Sequence, residues 1–277
     1  SPLMRISRAL FSSKKSGFFF TKTEINPCVL NAQYAVRGEV PTKAEDIAKE
    51  IKTKPKSHGY PFNELTECNI GNPQQFRQPP ISYNRRVLAC LLNPELLNSK
   101  DTHEDVKKRV RLYLDEIISA GSYTASLGIP LVRESVARFI HEQDNVPKPD
   151  IKNIFLTEGA SQGVHMIIQM LISDPKDSIM IPIPQYPLYS ASVALNGGSI
   201  VPYYLDEERG WQLDIAEAEK SIEEAKKQGK RVRSIVVINP GNPTGAIFNE
   251  DTIKKIIQFA TKNKLLVIAD EVIQCAT

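Results

Sequence analysis

Residues 177–206 read DSIMIPIPQYPLYSASVALNGGSIVPYYLD, and this stretch decides the fold. "DSIMIPIP" and "SIVPYYLD" are strand-like runs rich in β-branched and aromatic residues, and "YPLYSASVALNG" between them reads as a helix. Parallel neighbours need a crossover such as this helix, so the pattern predicts that the two strands lie parallel. Working outward, the alternation continues on both sides. Downstream come the amphipathic helix "DIAEAEKSIEEAKKQG", the strand "SIVVIN", the helix "EDTIKKIIQFATKN" and the strand "LLVIAD". Upstream, "NIFLTEG" predicts a strand and "SQGVHMIIQMLI" a buried helix. The rhythm predicts an α/β fold: a mostly parallel sheet covered by helices on both faces. Right-handed crossovers put the loops after all these strands on one rim.

Nearer the start, "GIPLVRESVARFIHEQ" places Leu131, Val132, Val136, Phe139 and Ile140 on one helical face, with Pro130 near its first turn. Helical patterns also cover Arg85 to Leu92 and Glu104 to Ile118, after a Pro- and Gln-rich loop, "NIGNPQQFRQPPIS". Residues 1–25 differ: they carry Arg5, Arg8, Lys14, Lys15 and Lys22, several serines, and no acid before Glu24. That composition fits a mitochondrial transit peptide, with a disordered arm in a cytoplasmic protein as the alternative. The expected organisation is this arm, then an N-terminal segment and part of a smaller α/β domain over 26–105, then part of a large domain over 106–277.

A net charge of +3, with basic residues scattered among acids, gives no nucleic-acid surface, and prolines interrupt the most apolar run before it could span a membrane. Cys28, Cys68, Cys90 and Cys275 form no CxxC pair, and the four histidines show no metal-ligand spacing, so a reduced, metal-free protein is expected. His165, inside "GVHMIIQML", reads as a satisfied core histidine.

In open parallel sheets, ligands bind outside the carboxyl ends of the strands. Four features there carry chemistry. "TEGASQG" sets Gly159, Ala160 and Ser161 at a helix N terminus, where free N–H groups suit a phosphate; the plainer reading is a small-residue turn with Ser161 as N-cap. Tyr186, between Pro184 and Pro187, is either a ring held in a fixed direction to stack on a planar ligand or a packing residue at a rigid turn. "NPGNPTG" restricts a loop from which the Asn242 amide could donate a hydrogen bond. Asp270 ends "LLVIAD", read as a buried strand, and a lone carboxylate at such an end needs a partner: a protonated ring nitrogen, a lysine, or the next segment's backbone. No Walker A lysine and no GxGxxG is present, which counts against ATP and dinucleotides.

Phosphate cup, ring-stacking tyrosine, amide donor and strand-end aspartate, in that order, resemble the class-I pyridoxal-phosphate-dependent aminotransferases of fold type I. The resemblance rests on "YAVRG", "NIGNPQQ", "GSYTASLGI", "TEGASQG", "IPIPQYPLYSA", "YYLDEE", "INPGNPTG" and "ADEVIQ". Within the family, "PIPQYPLYSA" and "YAVRG" favour the alanine-type enzymes over aromatic or kynurenine types. It implies that Ala160 and Ser161 hold the phosphate of pyridoxal 5′-phosphate and Tyr186 stacks on its ring. Asn242 would bond the phenolic oxygen, and Asp270 the ring nitrogen. Gly71 would lie beside the carboxylate of an amino-acid or 2-oxo-acid substrate. Tyr123 would reach the phosphate in a neighbouring subunit, making the full-length enzyme a homodimer. Two departures stand out. Ile273 occupies the position of a family tyrosine, and no lysine follows Lys264, whereas the family's Schiff-base lysine lies beyond the aspartate. The resemblance therefore implies a C-terminally truncated chain holding half a site, without a catalytic residue and inactive alone, with apolar surface and an unpaired sheet edge. A non-catalytic chain is the alternative from outside the enzyme class.

Overall fold

The computed structural model describes residues 25–34, 38–67 and 71–273. The transit-peptide expectation falls on residues 1–24, outside them. In chain order the α-helices are α1 (Pro27–Asn31), α2 (Glu39–Thr53), α3 (Ser82–Leu92), α4 (Glu104–Ile117), α5 (Pro130–Asp144), α6 (Ala160–Leu171), α7 (Leu188–Leu195), α8 (Ile215–Lys227) and α9 (Glu250–Asn263). The strands are β1 (Asp177–Ile183), β2 (Ser199–Asp206), β3 (Gln212–Leu213), β4 (Arg231–Ile238) and β5 (Leu266–Asp270). The chain divides into two compact units, one of residues 1–59 with 163–277 and one of residues 60–162.

In the first unit, the helix ends follow their sequence signals. Asp214 accepts from Ala216 N to cap α8, which carries Glu217 in its first turn and Lys226 and Lys227 in its last, complementing the helix dipole. Asn249 caps α9 by accepting from Thr252 N, and Lys264 closes that helix in a left-handed conformation. Strand β1 is buried along nearly its whole length, as expected for a central parallel strand.

The sheet order is β3-β2-β1-β4-β5. β1 pairs in parallel with β2 and β4, and β4 with β5; only the two-residue β3 is antiparallel to β2. From β1 the chain therefore steps to β2 on one side, then crosses back over β1 to β4 on the other. With right-handed crossovers, such a reversal requires helices on opposite faces. Leu188, Tyr189 and Val193 of α7 share one core with Val164 and Ile168 of α6, and with Ile179, Ile181, Val236, Ile238 and Ile268. Ala218, Ile222 and Ala225 of α8 and Ile256, Phe259 and Ala260 of α9 fill the other, against Met180, Val201, Tyr203, Ile235 and Val237. The reversal between β1 and β4 is the switch point at which doubly wound sheets bind ligands. Within the second core, burial pushes the Tyr203 phenol well above its ordinary pKa, and its hydroxyl donates to Val236 O at 2.6 Å.

In the second unit, α3 and α4 pack through Val87, Cys90, Val106 and Val110. Pro130 opens α5, and Arg133 donates to the carbonyls of Gly128 and Ile151.

Two expectations need correction. "NIFLTEG" is not a strand. Ile154 is extended, but extended backbone becomes a strand only where a neighbouring strand pairs with it. Leu156 N instead bonds Leu127 O, a single rung with no ladder, and Phe155 is exposed. β5 is not a buried strand. It is the edge of the sheet among the described residues, with Ile268 buried and Leu266 and Val267 exposed. His165, expected to be satisfied, bonds Ser192 Oγ through Nδ1 at 2.9 Å.

Candidate functional site

Three strands that neighbour one another, β1, β4 and β5, end on one rim because they are parallel. Tyr186 follows β1, Asn242 follows β4, and Asp270 is the last residue of β5. The β1 and β4 loops leave the sheet on either side of the switch point, so the crevice predicted by topology lies between Tyr186 and the Asn242 loop. These are the sequence-predicted residues that the fold gathers in the first unit. Gly71 and Tyr123 lie in the second unit, both exposed. Ala160 and Ser161 also fall in that unit, at the start of α6, a helix that continues into the first. Gly159, with φ of +86°, immediately precedes the helix, so Ser161 sits in its first turn and is not the N-cap. The first-turn amides of a helix lack intrahelical acceptors, and Ala160 and Ser161 are exposed there.

The aspartate has one partner that the sequence reading offered, the backbone just after it, and one that it did not identify, Tyr189. Tyr189 Oη donates to Asp270 Oδ2 at 2.5 Å, and Val272 N to Oδ1 at 3.3 Å. Tyr189 is fully buried in the first turn of α7, and burial raises its phenol pKa far above the ordinary value, with the Asp270 bond adding to the effect. The phenol therefore stays protonated and remains a donor. A carboxylate offers about four lone-pair positions, so with two donors in place Asp270 retains capacity for another on the rim. The available signal in the sequence was the second tyrosine of "YPLY": Tyr186 stands in the loop before the helix, whereas Tyr189 lies inside it, on its buried face.

Replacing Tyr189 by Phe removes that donor while keeping the ring. A hydrogen bond to a charged group contributes about 1.5–3 kcal/mol, so Tyr189→Phe is expected to lower stability toward the bottom of that range. Urea unfolding of the two proteins measures it, and equal midpoints would mean that the hydroxyl does not hold the aspartate.

The "NPGNPTG" loop is built by its own bonds. Asn239 N donates to Asp270 O at 2.9 Å, and Asn239 Oδ1 accepts from Phe248 N at 2.9 Å, which ties both ends of the loop. Gly241 N bonds Ala246 O, and Gly245 N bonds Gly241 O with φ of +68° at Gly245. The peptide bonds before Pro240 and Pro243 are cis, as is that before Pro184. Asn242 is left exposed in the loop, with its amide free of the bonds that make the turn. Asn239 is thus the structural asparagine of the pair, a division of roles that the two identical Asn-Pro dipeptides do not reveal.

Among the described residues no group of three or more His, Cys, Asp or Glu could hold a metal, and no helix is long and apolar enough to cross a membrane.

Residues 93–274 match the family described as aminotransferase class I and II. The chain is 46% identical over 95% of its length to alanine aminotransferase 2, mitochondrial, of Arabidopsis thaliana, covering 49% of that protein. It is 45% identical over 90% of its length to alanine aminotransferase 2 of Panicum miliaceum, covering 52% of it. Among solved structures, alanine aminotransferase from Pyrococcus furiosus superposes with a TM-score of 0.65 at 26% identity, over 89% of this chain and 51% of the other. The chain spans about half the length of the curated relatives it matches.

Proposed function

Because the chain belongs to the class I and II aminotransferases, we propose that it forms the cofactor-binding part of an alanine aminotransferase. That enzyme would exchange an amino group between L-alanine and 2-oxoglutarate to give pyruvate and L-glutamate. The observation that carries the reading is the convergence of Tyr186, Asn242 and Asp270 on the rim of β1, β4 and β5, beside the switch point of the sheet. The alanine assignment draws on relatives at 45–46% identity, which are named for it.

The family depends on pyridoxal 5′-phosphate, and the residues on the rim fit its ring. Asp270 is oriented as an acceptor by Tyr189, with capacity for a ring N–H. When bound, the cofactor supplies an electron sink for the bond-breaking at the substrate Cα. The chain's own residues hold and orient. Asp270 keeps a proton on the ring nitrogen, because a carboxylate beside a cationic N–H favours the charged form. Tyr186 covers one face of the ring and excludes water from it. The Asn242 amide donates to the phenolic oxygen. Ala160 and Ser161 present helix-terminal donors to the phosphate. Gly71 lets the substrate carboxylate approach backbone. Tyr123, fully exposed in its own chain, serves the neighbouring subunit of a homodimer. The side chain of Ile273 has no hydrogen-bonding group where the family has a tyrosine, which weakens the hold on the cofactor by about 1 kcal/mol. A mitochondrial address accords with the basic, acid-poor start and with the Arabidopsis relatives' names, while the Panicum relative carries no such label.

The test is titration of the purified chain with pyridoxal 5′-phosphate, followed by borohydride reduction and dialysis. Saturable change in the cofactor's near-ultraviolet absorbance is expected, with no lysine specifically labelled and no pyruvate formed from L-alanine and 2-oxoglutarate. Absence of any saturable change defeats the cofactor reading. Stoichiometric labelling of one lysine defeats the inactivity of this chain instead.

A further inference from the structure

The tyrosine of "YAVRG", Tyr34, lies against the site through Tyr186. Asn26 accepts from Cys28 N to cap α1, and this short helix packs against α7. The contact is close where Cys28 meets the turn ending α7: a Cβ added at Gly197, whose φ is +74°, would stand 3.5 Å from the Cys28 sulfur. From that seat the chain runs to Tyr34, whose phenol oxygen lies 2.5 Å from that of Tyr186. The two rings do not stack: their planes cross at 79°, with centroids 6.1 Å apart.

Tyr186 needs such a partner. Pro184 and Pro187 restrict its backbone, but its side-chain torsions remain free to turn the ring away from the rim. Only half-buried, the ring packs against the core beneath α6 and α7 without being enclosed by it. A bond at the hydroxyl, the point of the side chain farthest from the backbone, fixes the direction of the ring's long axis. We propose that Tyr34 is a positioning residue, whose hydroxyl bond to Tyr186 holds the long axis of that ring over the rim, where the planar ligand of this site stacks against it. The N-terminal segment, seated on α7 through α1, thereby becomes part of the site's construction although it belongs to none of its strands. The inference rests on the reading of Tyr186 as the stacking residue.

Two measurements separate the failure of this inference from the failure of that reading. In protein labelled with 3-fluorotyrosine and free of cofactor, the Tyr186 resonance is the one missing from Tyr186→Phe. In Tyr34→Phe that resonance is expected to shift and broaden as the ring gains freedom. If it stays in place, the pairing does not exist in solution and the proposal falls. In titrations with pyridoxal 5′-phosphate, Tyr34→Phe and Tyr186→Phe are each expected to weaken binding about two- to fivefold, the lower range for one exposed hydrogen bond. The double variant is expected to be no worse than Tyr186→Phe alone, because one bond cannot be lost twice. Multiplying losses would show that Tyr34 acts independently and would overturn the positioning role. Should the unsubstituted chain fail to bind the cofactor, the functional reading fails, and the fluorotyrosine shift by itself decides whether Tyr34 orients Tyr186.

Discussion

Asp270→Asn is expected to weaken pyridoxal 5′-phosphate binding by about ten- to a hundredfold, the equivalent of a charge-assisted hydrogen bond of roughly 1.5–3 kcal/mol. The substitution changes charge and leaves shape almost intact. Tyr189 can still donate to the remaining oxygen, so the contact that anchors the side chain at the end of β5 survives. What is lost is the negative charge opposite the ring nitrogen, and with it the preference for a protonated ring. Spectroscopic titration of both proteins measures the ratio, with urea unfolding run alongside to establish that the fold is unchanged. An affinity altered by less than about twofold, in a protein of unchanged stability, would remove Asp270 from the ring-binding role. A loss of the same size in Tyr189→Phe would have a different meaning, since that hydroxyl bonds the aspartate and not the ligand. It would indicate that orientation of the carboxylate matters as much as its charge.

The central βαβ units were legible because their signals are local. The apolar runs of "DSIMIPIP", "SIVPYYLD" and "SIVVIN", and the helical periodicity between them, each occupy a few residues and each agree with the structure. Strand pairing is not local, and there the reading failed. "NIFLTEG" has the composition of a strand but pairs with no neighbour, and the two residues of β3 form a strand only because β2 lies beside them. The site followed the same division. Its rim residues could be found from their positions after strands, which chain order fixes. Their supports could not be found in that way: Tyr189 meets Asp270 across 81 residues of sequence, and Tyr34 meets Tyr186 across 152. Nothing in a linear pattern says which of several tyrosines will close such a distance. The order β2-β1-β4 was equally hidden, although the site depends on it, because right-handed crossovers permit either direction of travel at each step.

At the opposite end of the same strands, Asp177→Asn is expected to cost about 3–5 kcal/mol of stability, which is the scale of breaking a buried ion pair. Asp177 opens β1 with no exposed surface, and such a carboxylate is tolerated only when fully partnered. Its Oδ1 accepts from Arg231 Nε at 2.6 Å and Arg233 Nε at 2.7 Å, and its Oδ2 from both the amide and the hydroxyl of Ser173 at 3.0 Å. The bond from Arg231, aided by those from Ser173 and Arg233, outweighs the burial and holds the carboxyl well below the usual range. Asparagine keeps one acceptor oxygen but turns an N–H₂ toward donors, and it leaves two guanidinium groups without a counter-charge. Because both arginines remain partly hydrated, the loss should fall toward the lower part of the range. The sign of the pH dependence follows from the depressed pKa. The carboxylate's contribution is complete above the unfolded-state value of about 4, and it declines as pH falls below that toward the folded-state value. Unfolding free energies compared at neutral pH and in acid should therefore show the gap between the unsubstituted protein and Asp177→Asn narrowing as the solution is acidified. A gap that is constant with pH would mean that the cost comes from packing and not from charge. The arrangement links β1 to β4 at their amino ends, and those are the two strands whose carboxyl ends bound the ligand crevice. Loosening that link offers a direct measure of how far the site depends on the register of the sheet beneath it.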